Sequence, residues 1–346
     1  MKNLNQISNK IDKQNLRAVI MESPKQFAQG FALTKNIQIK GNFDSLCVSG
    51  MGGSSLPIDL LRTYADDLFE NNSKKNQPLE IIQNRSYNLP AKTLSRKCLH
   101  IFSSYSGNTE ETISSLEDAL AKKIPSLIGI THGGKLQELC AKNNLPCVIL
   151  PEVIQPRYAT GYFFTAILQI LINLKLLEDT SKEISISAKK LEKRMSDLEK
   201  RGKIIAKKLQ GETPVVYSTD KYKAVAMVWK IKINENSKTP CFYNCYPELN
   251  HNEMVGYTLP QAKFHIIALI DPRENSQITK RILITAKLLK AKKIDTTLFE
   301  LNGANNFEKM FDALLLGDWI SYYLALNYKQ DPTPVAMVEN FKKMLI

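Results

Sequence analysis

Short apolar runs, several closing on a turn of small residues and leading into a helical pattern, recur along this chain and constrain its fold more than any other feature. Ser45-Leu-Cys-Val-Ser49 leads into Gly50-Met-Gly-Gly-Ser-Ser55, after which Leu56, Leu60, Leu61 and Tyr64 fall at helical spacing. Lys97–Ser103 leads into Ser104-Tyr-Ser-Gly-Asn-Thr109 and a helix running through Leu120. Leu79–Gln83, Ser126–Thr131 and Cys147–Leu150 read as further short strands. Strands that alternate with helices need crossover connections, so they build a parallel sheet from βαβ units. The expected class is α/β and doubly wound, with ligands at the carboxyl ends of the strands.

A charged, repeat-free helical stretch, Leu177–Lys208, follows, and then the pattern resumes. Strands are expected at Pro214–Ser218, Phe264–Ile270 and Asp295–Glu300. Helices are expected at Tyr222–Ile233, Thr279–Lys292, Phe307–Tyr328 and Val335–Leu345. At about 150 residues per domain, 346 residues make two domains. The first is drawn at 1–180 and includes a polar, helical N-terminal arm; the second is drawn at 181–346 and includes the terminal helix.

The two turns carry the first chemistry. Backbone amides and the helix dipole attract an anion where a strand feeds a helix, and glycines let the backbone come close to it. The first turn supplies Gly52, Gly53, Ser54 and Ser55. It has neither the spacing of a dinucleotide fingerprint nor the Gly-Lys-Ser/Thr of a P-loop. The second supplies four hydroxyls, from Ser104, Ser106, Thr109 and Thr112. Helix capping would account for one such turn. Two of them, on separate strands of one half, point to a phosphate site.

Composition narrows the partners. The net charge of +13 raises nucleic acid or an anionic membrane surface, but the basic residues are scattered. Their densest stretch, Lys182–Lys208, alternates with Glu and apolar residues as a solvated helix face does. No DNA-reading segment is evident, so neither nucleic acid nor membrane is an expected partner. The N-terminal stretch is polar and has no apolar core of a signal peptide. Phe163–Leu177 is broken by Gln169, Asn173 and Lys175, and reads as a buried core helix. None of the six cysteines forms a CxxC pair, so they read as free core thiols of a reducing cytoplasm. Cys241 and Cys245 lack the partner pair that a zinc site needs. His100 and His265 sit in apolar strand patterns and read as satisfied core residues; His132 reads as structural.

The pair of turns resembles the sugar isomerase (SIS) domain family. Four later segments narrow the likeness: Gln155-Pro-Arg-Tyr-Ala-Thr-Gly161, Asn234-Glu-Asn-Ser-Lys238, Pro247-Glu-Leu-Asn-His-Asn-Glu253 and Asp331-Pro-Thr-Pro-Val335. Together, in order and across nearly the whole chain, they resemble the bifunctional phosphoglucose/phosphomannose isomerases. The resemblance implies two SIS-type domains and an aldose–ketose isomerase that needs no metal or cofactor. Its substrates would be glucose 6-phosphate, fructose 6-phosphate and mannose 6-phosphate. It implies Glu235 as the base, His251 as the ring opener and Arg157 beside the enediolate. Lys342, adjoined by Lys343, would assist at the ring oxygen, and Thr333 would make room for the mannose epimer. It also implies a homodimer in which His251 reaches the site from the neighbouring subunit. On residue type alone, Glu248 and Glu253 remain rivals for the base. A non-catalytic sugar-phosphate sensor would share both turns and need neither Glu235 nor His251. An amidotransferase-type isomerase half would need a glutaminase partner.

Overall fold

The computed structural model of the protein describes residues 10–71, 79–94 and 97–345; the first nine residues of the polar N-terminal stretch lie outside them. The chain groups into two compact units. One runs from Glu22 to Glu192; the other joins the described residues up to Met21 with those from Lys193 onward.

The Glu22–Glu192 unit holds five parallel strands: β1 (Ser45–Gly50), β2 (Glu80–Asn84), β3 (Cys98–Ser103), β4 (Leu127–Thr131) and β5 (Cys147–Ile149). Their order is β2-β1-β3-β4-β5. The chain steps outward from β1 to β2 and then returns to the other side of β1 as β3. The order therefore reverses between β1 and β3, and a crevice opens at their carboxyl ends. Every residue of β1, β3 and β4 is buried, which is why these strands read as continuous apolar runs rather than alternating ones. Helices Leu56–Asn71, Glu110–Ala121, Gly134–Lys142 and Thr160–Asn173 flank the sheet. Phe163, Phe164, Ile167 and Leu171 of the last are fully buried, as expected of a core helix. Helix Gln26–Thr34 packs closely on it, because a Cβ at Gly30 would lie 2.1 Å from Thr165 Oγ1.

The second unit holds β6 (Thr213–Thr219), β7 (Phe242–Tyr246), β8 (Phe264–Ile270) and β9 (Asp295–Glu300), all parallel in the order β7-β6-β8-β9. Here the reversal falls between β6 and β8. β7 is absent from the strands expected of the sequence. It lies at the sheet edge with Phe242 54% exposed, so its composition is mixed rather than apolar. Helix Asn306–Asn327 is buried along most of its length and packs on helix Lys223–Ser237. Trp229 Nε1 donates to the Ala313 carbonyl at 2.8 Å, and Lys232 Nζ meets Asp318 Oδ1 at 2.7 Å with both side chains buried. The arm is tied in by Asp12, which accepts from the Leu16 amide at 2.7 Å and from Tyr322 OH at 3.0 Å. No helix among the described residues is long and apolar enough to cross a membrane.

Candidate active site

Both Ser/Gly-rich turns leave the sheet where its order reverses, one from β1 and one from β3. Side chains lock them together. Ser103 Oγ donates to the Ser54 carbonyl at 2.8 Å, and Ser54 Oγ accepts from the Tyr105 amide at 2.9 Å. Ser55 Oγ donates to the Gly52 carbonyl at 3.1 Å and accepts from Arg85 Nε at 3.1 Å. Gly52 has φ +50, a conformation that favours glycine. Gly107, at φ +70, lets the second turn touch the next one, since its Cβ would lie 1.7 Å from the Gly133 carbonyl.

Helix capping does not account for the second turn. Thr109 precedes helix Glu110–Ala121, but its side chain bonds no helix amide. It pairs instead with Ser104 Oγ at 2.7 Å. The first bond back to Thr109 comes from Ile113, so the amides of Glu110, Glu111 and Thr112 point out of the helix start without a side-chain cap. Thr112 is buried, and among the described residues its hydroxyl has no hydrogen-bond partner. Ser106 is exposed, and its hydroxyl accepts from the Asn108 amide at 3.3 Å.

Arg157 joins this end of the sheet. It sits in the turn Pro156–Tyr158, beyond β5. A Cβ on Gly53 would lie 2.5 Å from the Arg157 nitrogen, so the glycine allows this turn to rest on the first one. Arg157 is 2% exposed, and its guanidinium donates to Gln155 Oε1 at 3.3 Å and lies 5.4 Å from the Tyr158 ring centroid. A surface ion pair, the plain alternative for this arginine, does not describe it.

Glu235, His251, Thr333 and Lys342 belong to the other unit. Glu235 is half-buried in the last turn of helix Lys223–Ser237, and its neighbours pin that turn. Asn234 Oδ1 accepts from the Cys241 amide at 2.7 Å, and Asn236 Nδ2 donates to Ser321 Oγ at 2.8 Å. Lys238, left-handed at φ 57, donates to the Glu235 carbonyl at 2.5 Å and to the Pro332 carbonyl at 3.3 Å. It thereby holds the Asp331–Thr333 loop against the end of the Glu235 helix. Thr333 is fully buried there, its amide donating to Asp331 Oδ1 at 3.1 Å. Lys238 lies inside a motif segment, but its bridge reaches a carbonyl 94 positions away, which leaves no local signal in the sequence.

His251 lies elsewhere. It is exposed in the turn Glu248–His251, which follows the carboxyl end of β7. The Glu235 helix ends at the amino end of the same strand, where Cys241 bonds Asn234. About 13 Å of strand separates the two positions. The structure thus does not bring Glu235 and His251 of one chain together. The rival carboxylates are engaged. Glu253 accepts from Tyr217 OH at 2.5 Å and from Asn244 Nδ2, while Glu248 accepts from Asn252 Nδ2 at 2.7 Å. Lys342 and Lys343 are both exposed on helix Ala336–Met344, which has no buried residue and leaves Met337, Phe341 and Met344 uncovered.

The reversal between β6 and β8 is filled by protein. Lys309 bonds Asp271, and Tyr222 OH lies 2.6 Å from Asp271 Oδ2 and 2.6 Å from Asn306 Oδ1, all buried. Among the remaining histidines, His265 Nε2 meets Thr297 Oγ1 at 2.8 Å, as a satisfied core residue should. His100 departs from that expectation. It is buried, but neither ring nitrogen has a partner among the described residues, and burial pushes its pKa down to about 4. His132 Nδ1 lies 2.8 Å from the Leu150 carbonyl, and its ring stacks on Tyr105. All six cysteines are free, five of them buried. Among the described residues, no three His, Cys, Asp or Glu side chains are grouped to hold a metal ion.

Comparison with known proteins extends these observations. The family of bacterial phospho-glucose isomerase C-terminal SIS domains matches residues 198–345. The chain is 35% identical over 340 residues to the bifunctional phosphoglucose/phosphomannose isomerase of Caldicellulosiruptor bescii, covering 93% of this chain and 96% of that one. It is 32% identical over 306 residues to the Aquifex aeolicus protein of the same name, covering 88% and 91%. The crystal structure of tagatose-6-phosphate ketose/aldose isomerase from Escherichia coli matches with a TM-score of 0.65 at 14% identity, covering 92% of this chain and 94% of that one. The last likeness concerns the fold alone: each parallel sheet with its flanking helices is of the SIS type.

Proposed function

The chain belongs to the bifunctional phosphoglucose/phosphomannose isomerase family and is a sugar-phosphate isomerase, and we propose that it interconverts glucose 6-phosphate, mannose 6-phosphate and fructose 6-phosphate by a metal-free proton transfer. The observation that carries this reading is the cradle at the β1/β3 reversal. Uncapped amides, the paired hydroxyls of Ser104 and Thr109 and the hydroxyl of Thr112, which has no partner among the described residues, suit a dianionic phosphate there. Gly52, Gly53, Ser54 and Ser55 shape its other wall, and Ser106 lies at its rim.

The chemistry then needs four groups. His251 gives a proton to the ring oxygen as its bond to C1 breaks, with Lys342 assisting, and the C1 hydroxyl releases its proton to solvent to leave the open-chain aldehyde. Glu235 takes the proton from C2, holds it long enough for part of it to exchange with solvent, and delivers it to C1, while the C2 hydroxyl proton passes to O1. Arg157 faces the negative charge that spreads over both oxygens of the enediolate, and its burial strengthens that interaction. For mannose 6-phosphate, rotation about C2–C3 beside Thr333 presents the epimeric proton to the same carboxylate. The distance along β7 between Glu235 and His251 supports a homodimer whose partner supplies His251. The uncovered apolar face of helix Ala336–Met344 supports a dimer too. Free thiols suit the reducing cytoplasm.

Glu235→Gln separates the steps. Isomerisation should fall by about 10²–10⁴-fold, the usual worth of a general base. Catalysed interconversion of the glucose 6-phosphate anomers, which needs ring opening alone, should persist. Magnetization-transfer NMR measures the second and a coupled assay the first. Near-normal isomerisation would remove Glu235 as the base.

A further inference from the structure

The motif that carries His251 also carries a carboxylate the reaction does not use. Glu253 is held from two strands at once, by Tyr217 of β6 and Asn244 of β7. Tyr217 OH also lies 2.6 Å from Tyr257 OH. With the Tyr217 proton directed at the carboxylate, the Tyr257 proton points back to Tyr217. Burial raises the Tyr217 pKa strongly and pushes Tyr257 up to about 12, so both phenols keep their protons. The result is a chain of donors ending on a carboxylate, an arrangement stronger than neutral hydrogen bonds.

The other side of His251 is anchored as well. Leu249 is fully buried in the cluster that includes Tyr217, Tyr246 and Tyr257, and Asn250 Nδ2 donates to Thr285 Oγ1 at 2.8 Å. His251 is therefore an exposed side chain on a turn fixed one residue before it and two residues after it. We infer that Glu253, clamped by Tyr217 and Asn244, is a positioning residue that fixes the direction in which the His251 imidazole is presented. This rests on the ring-opening role of His251 proposed above. A side chain that must deliver a proton to one oxygen gains from a rigid support, since small misplacements cost large factors in rate.

Tyr217→Phe and Glu253→Gln test it in the full-length protein. Catalysed anomer interconversion of glucose 6-phosphate should fall by about 10- to 100-fold, with KM within about twofold of the parent. In a His251→Ala background, residual isomerisation is fed by spontaneous ring opening, and neither substitution should lower it further. A role in stability alone would lower it again. If Glu253→Gln fails to fold, Tyr257→Phe removes only the outer hydroxyl and should give a smaller loss in the same direction. A folded Tyr217→Phe protein with anomerisation unchanged, or a further loss in the His251→Ala background, overturns the positioning role. Retained anomerisation in His251→Ala alone overturns the ring-opening role, and the positioning role with it.

Discussion

Thr112 has a buried hydroxyl with no partner among the described residues, beside three uncapped helix amides. A buried polar group without a partner costs about 1–3 kcal/mol, which a phosphate accepting its hydrogen bond would offset. Thr112→Val keeps the shape and removes the hydroxyl. Stability should stay the same or rise, while KM for fructose 6-phosphate rises about tenfold or more, the worth of a hydrogen bond to a charged group. Thermal melting and steady-state kinetics measure the two. An unchanged KM would remove Thr112 from the phosphate grip. The hydroxyl pattern was legible in the sequence, but the lack of a side-chain cap at this helix start was not. It turns on Thr109 pairing with Ser104 across the turn rather than with the amides beside it. Likewise three glutamates were equal candidates as letters. Only the fold brings Tyr217 and Asn244, from two different strands, onto Glu253.

At the scale of elements, β3 carries a pH dependence through His100. Its folded pKa, about 4, lies below the ordinary histidine value near 6.5, so between these limits the unfolded chain binds more protons. Stability is therefore full above about pH 6.5 and is lost as pH falls toward 4, by about 2 kcal/mol between pH 7 and pH 5. His100→Leu should remove that part of the slope without destabilising the protein at pH 7. Denaturant titrations at both pH values measure it, and an unchanged slope would contradict the assignment. The strands best read from sequence are the central ones, buried on both faces. β7 escaped because an edge strand needs no apolar run. Its Phe242-Tyr-Asn-Cys-Tyr246 sequence lies between Pro240 and Pro247 and has Asn244 at its centre. That same asparagine holds Glu253, so the missed strand and the missed clamp have one cause.

Across the whole molecule, the α/β class followed from spacing alone, because strand–turn–helix repetition allows few other folds. What spacing could not show are ties between distant positions. Tyr322 reaches Asp12 across 310 positions, and such a contact leaves no local period. The charge of +13 is spread along the chain and suits attraction of a dianionic substrate rather than a dedicated polyanion surface. The central claim is that this chain moves a proton between C1 and C2 through Glu235 without a metal. The most direct test runs fructose 6-phosphate isomerisation in D2O with EDTA-stripped protein, beside Glu235→Gln. The account predicts full activity after stripping and deuterium at C2 of the glucose 6-phosphate formed. Glu235→Gln should lose isomerisation and deuterium incorporation together. Activity that returns only with added metal, or deuterium incorporation that persists without the Glu235 carboxylate, would contradict it.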